Sequence, residues 1–423
     1  MMKHKTRIIL VNILGNLVQS FDMAICSLLS FYFVKYFLGD TNNGVITLFK
    51  IFSLSYVLQM SGSLFFGLFS DSLGRKKIFS ISIIGMSITT VLIGFIPAQA
   101  ILILFLLRTI QSFFYGSEYF NSTAYLIENA PESQKRFIGS WGSFGYIAGL
   151  LIASLCMLLI SHLNTIHPNL EWLFWRFPFC LGLIGVGLGL YIWKRIPESL
   201  DYIDFYAAHS KPDWNDLIQQ SWAYLFHNKL NTVFAFILIS LGVTAITQIY
   251  IFGPIQAHLY HQLSDQQIYL SSTISILIML FICPLAGKLS QKIKREKIIT
   301  AATLGLWFLS QPYFYLLAHD QFWLLLLCQC LMSVATGAYF AIIPVMVLEM
   351  FPLHLRCTLA STIYAMAAAL SAGIVPILSL KILKQHPHPI TPSVLLFSLT
   401  ACLWGIMWIR NVKKIKEPVV TMG

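Results

Sequence analysis

The chain has 423 residues, of which 57% are hydrophobic and only 11% charged, and its mean hydropathy is +0.73. Soluble domains carry roughly a quarter charged residues, so a single water-excluding core is excluded and most of the surface must meet lipid. The formal net charge of +11 does not point to nucleic acid, because the cations stand in short runs at the ends of apolar segments, where topology and anionic headgroups explain them.

A bilayer-crossing helix needs about 20 apolar residues. On that measure the chain is an all-α membrane protein of twelve transmembrane helices in two pseudo-symmetric six-helix bundles. The first six spans fall at about 8–36, 45–69, 78–97, 100–127, 137–161 and 173–194. The first follows Lys3, Lys5 and Arg7; it runs past the h-region of a signal peptide and lacks an A-x-A cleavage site. The polar interval 195–229 divides 1–194 from 230–423 as a cytoplasmic linker. Within it Trp214, Leu217, Ile218, Trp222 and Leu225 recur at helical spacing. Two readings stand: a helix on the inner membrane surface, or a linker packed on the bundle. Six further spans follow at about 230–256, 266–289, 297–317, 321–350, 356–383 and 392–411, with Pro254, Pro284, Pro344 and Pro376 as candidate kinks.

Arg75–Lys77, Lys135, Arg136, Lys288, Lys292, Lys294 and Arg295 collect in the even-numbered links, and Arg410, Lys413, Lys414 and Lys416 in the tail; Asp40 and Asp320 fall in odd-numbered links. The positive-inside rule then puts both termini in the cytoplasm. Lys35, Lys381 and Lys384 are exceptions at outer helix ends, where they can snorkel.

The two halves repeat. Gly67-Leu-Phe-Ser-Asp71-Ser-Leu-Gly74-Arg75-Lys76-Lys77-Ile78 is echoed by the stretch from Gly287 through Gln291 and Arg295 to Ile298, and Glu128…Pro131…Arg136 by Glu349…Pro352…Arg356. Duplication of this kind places a binding site at midplane between two bundles. The spacing G-x-x-x-D-x-x-G-R-K-K resembles the loop between helices 2 and 3 of the major facilitator superfamily. Leu14-Gly-Asn16-Leu-Val-Gln19-Ser-Phe-Asp22, then Arg108-Thr-Ile-Gln111-Ser-Phe-Phe-Tyr-Gly116-Ser-Glu118-Tyr through Pro131 and Arg136, and Ile196-Pro-Glu198-Ser199, resemble its metabolite:proton symporters, the proline/betaine and α-ketoglutarate transporter type. The likeness is dense over 14–200 and weaker beyond. Members of that family usually carry Glu at the position of Gln19, an aromatic at Ser20 and Tyr at Cys26. The tail ends about a dozen residues past the last helix, without the coiled coil of the osmosensing type, so osmotic gating by such a tail is not expected.

The resemblance implies a secondary active, proton-coupled importer of a small carboxylate or zwitterion, working by alternating access in the bacterial inner membrane. It would be a monomer, with protons, the solute and the bilayer as partners and no cofactor. The alternative is a proton-driven exporter of a drug or metabolite; the departures at Gln19 and Ser20 favour it, and Arg108 favours the importer.

Charges inside a bilayer cost at least about 2.5–3.5 kcal/mol each, which singles out Asp22, Arg108 and Glu118. At about 1.5 Å per residue, Asp22 and Arg108 differ in depth by little more than a turn. A pair between them either couples substrate binding to protonation or only fixes packing. Arg108, Gln111, Tyr115, Glu118 and Ser122 share one helix face. Arg108 can grip a carboxylate bidentately. Gln19, Gln111, Tyr115 and Tyr119 complete the candidate substrate site, the tyrosines as hydroxyl donors or as aromatic faces for a quaternary ammonium. Asp22 and Glu118 are the proton-coupling candidates, Glu118 having a helix–helix hydrogen bond as its other reading. Gly67, Asp71, Gly74, Arg75, Glu128, Arg136, Glu349 and Arg356 are assigned to the conformational gate. Gln248, Tyr250, Gln311, Tyr313, Tyr339 and Tyr364 are the polar residues of the second half, each read as packing. No P-loop, nucleophile elbow, zincin motif or C-x-x-C spacing occurs, so neither ATP nor a metal is implied and no enzyme is expected; His386 and His388 are assigned to a solvated outer loop.

Overall fold

The computed structural model describes residues 2–39, 44–209, 213–385 and 388–413, with side chains from residue 6 to 407. Lys3, Lys5, Asp40, His386, Arg410, Lys413, Lys414 and Lys416 lie, as residues or as side chains, outside that description. Among the described residues there are helices and no strands.

The chain runs α1 Met2–Leu28, α2 Gly44–Leu73, α3 Arg75–Gly94, α4 Ile101–Glu128, α5 Glu132–Ile166 and α6 Pro168–Arg195. Two short helices follow, α7 Leu200–Ala208 and α8 Trp214–His227. Then come α9 Lys229–Tyr260, α10 Asp265–Leu289, α11 Arg295–Leu316, α12 Phe322–Glu349, α13 Arg356–Gln385 and α14 Ser393–Lys413. Over the described residues ten of these helices are long and apolar enough to cross a membrane; α7 and α8 are short, α11 is less apolar, and α14 is apolar over Ser393–Met407, the part whose side chains are described. The expected spans at 297–317 and 392–411 are nonetheless formed, as α11 and α14. The sequence Ser310-Gln-Pro-Tyr313 dilutes the hydropathy of α11. Large apolar side chains stand bare on the outside, among them Leu102 and Trp323 at 78% and Phe308 at 71% exposure; a surface of this kind is at home in lipid.

The six helices on either side of α7 and α8 meet along two equivalent seams: α10 packs on α5, and α13 packs on α2. The seams need small residues, because association in lipid depends on close backbone approach. A methyl group at Gly67 would lie 2.7 Å from the Thr358 Cα across one seam, and one at Gly287 would lie 2.2 Å from the Ser140 Oγ across the other. The repeat seen in the sequence is therefore also a repeat of contacts.

Pro254 and Pro376, two of the candidate kinks, stand beside a specific irregularity. Each follows a wide π turn, Thr247–Phe252 in α9 and Ala369–Ile374 in α13. A proline has no N–H and its ring crowds the carbonyl four residues back; that carbonyl lies inside the π turn in both cases, and widening the turn removes the clash. Pro284 and Pro344 stay inside helices with no such turn.

Candidate functional site

Three polar assemblies occupy the bundle. The first closes the face that carries the basic loops. Asp71, at the end of α2, is fully buried. Its Oδ1 accepts from Arg75 Nη1 at 2.7 Å, and its Oδ2 accepts from the Thr358 amide at 2.8 Å and the Thr358 hydroxyl at 2.7 Å. The Cys357 amide adds a bond of 3.3 Å. A carboxylate thus sits on the first free amides of α13, where the helix dipole favours an anion. Arg75 also reaches Glu128 at 3.3 Å and the Leu353 carbonyl at 2.9 Å, and Arg356 crosses to Glu128 at 3.4 Å.

The assigned gate residues therefore form a linked set, and its second-half counterpart follows the repeat. Arg295 pairs with Glu349 at 2.5 Å as Arg75 pairs with Glu128. Arg136 crosses to the Ser290 carbonyl at 3.0 Å, and Gln291, the counterpart of Asp71, crosses to the Ser133 carbonyl at 3.3 Å. The two sets differ in burial: Asp71, Arg75 and Glu128 are enclosed, whereas the Arg295–Glu349 pair is partly open to solvent.

The segment after α6 straps the enclosed set. Glu198 accepts from the Lys76 amide at 3.0 Å, at the start of α3. Gly74 makes this possible: its φ is +111°, and a side chain there would strike the Glu198 carboxylate. Burial pushes the Glu198 carboxyl above its usual range, against the pull of the Ser199 and Lys76 amides. Ser199 donates to Glu128 at 2.6 Å, Tyr202 to the Ser72 carbonyl at 2.7 Å and Tyr206 to the Asp71 carbonyl at 3.0 Å. Of these, sequence reasoning used only Glu198 and Ser199, as part of a motif; the contact between Thr358 and Asp71 had no signal in the chain.

Gly67→Val should disable this closure. The added methyls would meet the α13 backbone, so the two halves cannot seat at this seam. A cysteine at Ser361, buried here against the Ser117 carbonyl, should become reactive to a water-soluble maleimide in that variant. Unchanged protection would mean that the seam does not depend on Gly67.

The second assembly lies inside the first half. Asp22, Gln19 and Glu118 are fully buried, and the carboxylate and amide atoms of all three lack a hydrogen-bond partner. Asp22 and Arg108 do not form an ion pair here. Arg108 instead donates from Nη1 to Gln111 Oε1 at 2.5 Å, lies over the Phe52 ring at 5.4 Å and leaves Nε without a partner. Gln111 passes the chain on to the Thr90 hydroxyl at 2.6 Å, and Thr90 and Arg108 are the polar groups that bear on Asp22. Asp22 is in turn the carboxyl group that neighbours Glu118. Sequence reasoning missed Thr90, one of several hydroxyl residues in α3.

The third assembly is a cavity between the halves, lined by Tyr56, Tyr115, Tyr146, Phe340, Tyr364 and Thr247 among others. The Tyr115 and Tyr364 hydroxyls meet across the divide at 2.9 Å. Tyr119 stacks on Phe340, with ring centres 5.9 Å apart. The single stripe expected on α4 is thus split. Its helix is interrupted at Gly116-Ser117, beyond Tyr115, so Arg108, Gln111 and Tyr115 share one segment and Glu118 and Ser122 the next; within the first, Gln111 reaches Thr90 of α3 whereas Tyr115 lines the cavity. The break lets α4 rest on α2, since a methyl group at Gly116 would lie 2.4 Å from the Ser63 nitrogen. Tyr364, read as packing from sequence, is a cavity wall, and Tyr56 and Tyr146 were not singled out.

Comparison with known proteins agrees with this architecture. Residues 13–317 and 238–421 match the family model described as Major Facilitator Superfamily. A glycine betaine/proline/ectoine/pipecolic acid transporter, OusA, of Dickeya dadantii is 27% identical over 416 residues, covering 95% of this chain and 82% of that one. The proline/betaine transporter of Salmonella typhimurium is 27% identical over 395 residues, covering 90% and 78%. Among solved structures, the proton:xylose symporter XylE superposes with a TM-score of 0.76 at 17% identity, over 96% of both chains. The human organic anion transporter MFSD10 gives 0.66 at 15% identity, over 94% of this chain and 99% of that one.

Proposed function

We infer that this chain, which belongs to the major facilitator superfamily, is a transporter that couples proton entry to uptake of a small zwitterion or carboxylate by alternating access. The observation that carries the reading is the tyrosine-walled cavity at the junction of the halves, with unpartnered buried carboxylates in the helices beside it. Aromatic faces hold a quaternary or secondary ammonium, and phenolic hydroxyls donate to a carboxylate. Buried polar atoms are nearly always satisfied in native structures. Orphans on Asp22, Glu118 and Arg108 therefore suit groups that take and release a proton or a ligand. The named relatives act on betaine and proline, molecules of this chemistry.

In this reading Asp22 and Glu118 carry the proton, and Arg108, Gln19, Gln111, Tyr115 and Tyr119 bind or orient the solute. The enclosed set around Asp71 is the inner gate. The unit of function in this reading is a monomer. It sits in the bacterial inner membrane with both termini in the cytoplasm and 195–229 as the linker between the bundles. A cysteine at Lys77 should then label only from inside and one at His388 only from outside; the reverse pattern contradicts the orientation. The function is tested on proteoliposomes with labelled betaine, proline and dicarboxylates, with an imposed inward proton gradient. Accumulation of a zwitterion that collapses with the gradient is expected. Gradient-driven extrusion of an apolar cation, with no zwitterion uptake, would instead make the protein an exporter.

A further inference from the structure

We propose that α8 (Trp214–His227) is an in-plane helix whose outer stripe lies among lipid headgroups and upper acyl chains, and that its occupant is the bilayer rather than a protein. Each helical residue turns by about 100°, so successive residues sample three sectors. Leu217 and Ser221 are buried against the bundle. One step on, Ile218, Trp222 and, a turn later, Phe226 form an apolar stripe exposed by 38%, 53% and 62%. One step the other way, Asp216 and Gln220 are exposed and polar. Protein, lipid and water sectors thus follow in order around one helix, as a helix at the margin of a membrane bundle requires.

The stripe is continuous with the lipid-facing surface. The Trp214 ring lies on Phe69 of α2 at 4.2 Å, Phe69 lies on Phe65 at 4.5 Å, and Phe65 is exposed on the flank of that span beside Phe113 at 5.6 Å. A row of rings therefore runs from a membrane-crossing helix onto α8 without a polar break. Tryptophan at such a boundary is favoured because one part of the ring is apolar and its N–H is polar. The same helix touches both halves: Trp214 meets the first half, and Tyr224 meets the second through a 2.8 Å bond to the Met350 carbonyl and a ring contact with Phe351. Anchoring α8 in the headgroup layer gives the moving halves a common tether at the gated face.

The test places single nitroxide-labelled cysteines at 216, 218, 220, 222 and 226 in a chain whose eight native cysteines are replaced, reconstituted in nanodiscs. Labels at 218, 222 and 226 should collide with oxygen, and those at 216 and 220 with a water-soluble nickel chelate. Equal access of the chelate to all five positions overturns the proposal. So does spin–spin broadening between chains, which would put a second copy on the stripe. A parallel measurement on the unaltered chain covers misfolding of the cysteine-free form. A phospholipid with a diazirine near its headgroup should label the peptide spanning Ile218–Phe226, and absence of that adduct, where the flanks of the spans are labelled, also overturns it.

Discussion

Arg108→Lys should abolish gradient-driven uptake almost as completely as Arg108→Gln. Lysine keeps the charge but loses the planar fork that holds a carboxylate or an amide oxygen in fixed geometry. In the structure the guanidinium engages Gln111 and stands over Phe52, with Nε still free. An ammonium can neither span those contacts nor offer the unused donor. Hydrogen bonds to charged groups contribute about 1.5–3 kcal/mol each, so uptake should fall by about 10- to 100-fold. The competing account makes Arg108 only the counter-charge of Asp22. In that case Asp22→Asn combined with Arg108→Gln should recover what either change alone loses, since a lone buried charge costs more than none. The absence of an ion pair between them argues for no recovery. Robust uptake by the double variant, measured beside both single variants, would show a structural pair and move the solute's anchor to the tyrosines.

Asp71→Asn should slow transport far more than it weakens solute binding. The asparagine keeps one acceptor, but its NH2 group would face donors that Asp71 now satisfies: the Arg75 guanidinium and the Cys357 amide, or the Thr358 amide and hydroxyl. It also leaves Arg75 enclosed with Glu128 as its remaining charged partner. Removing one partner of a buried pair costs about 3–5 kcal/mol. Here that cost falls on the seam between the halves that carries the basic loops and not on the cavity, from which Asp71 is absent. The turnover rate should drop by at least about tenfold while the equilibrium binding constant changes by less than about threefold. Equal losses in rate and binding would place Asp71 in the solute site.

The fold was legible because lipid imposes a simple rule on sequence. Apolar runs, alternating cation clusters and the displaced copy of the Gly67–Ile78 loop were enough to give twelve helices in two related halves. α11 shows the limit, since it forms as a helix although it does not meet the hydropathy of a span by itself. The charged cluster around Asp71 was legible for the same reason as the repeat, in that its charges stand at fixed offsets. Its partners Thr358 and Leu353 were not, because they belong to the other half and act largely through backbone groups. The cavity was the least legible part. Its walls Tyr56, Tyr146 and Tyr364 look like any buried aromatic in a hydrophobic helix until the two halves are brought together. The turn at Gly116-Ser117 was equally hidden: helical spacing put Arg108, Gln111, Tyr115, Glu118 and Ser122 in one stripe, and a two-residue break divides the first three from the last two.

Proton movement triggered by solute, with no gradient imposed at the start, is the most direct test of the central claim. Proteoliposomes enclosing a pH-sensitive dye should acidify when glycine betaine or proline is added outside. The signal should vanish on addition of a protonophore and be absent in Asp22→Asn and Glu118→Gln variants that still bind the solute. Uptake of the same solutes with no change in internal pH, or acidification that survives in both variants, would contradict a proton-coupled symporter built on these carboxylates.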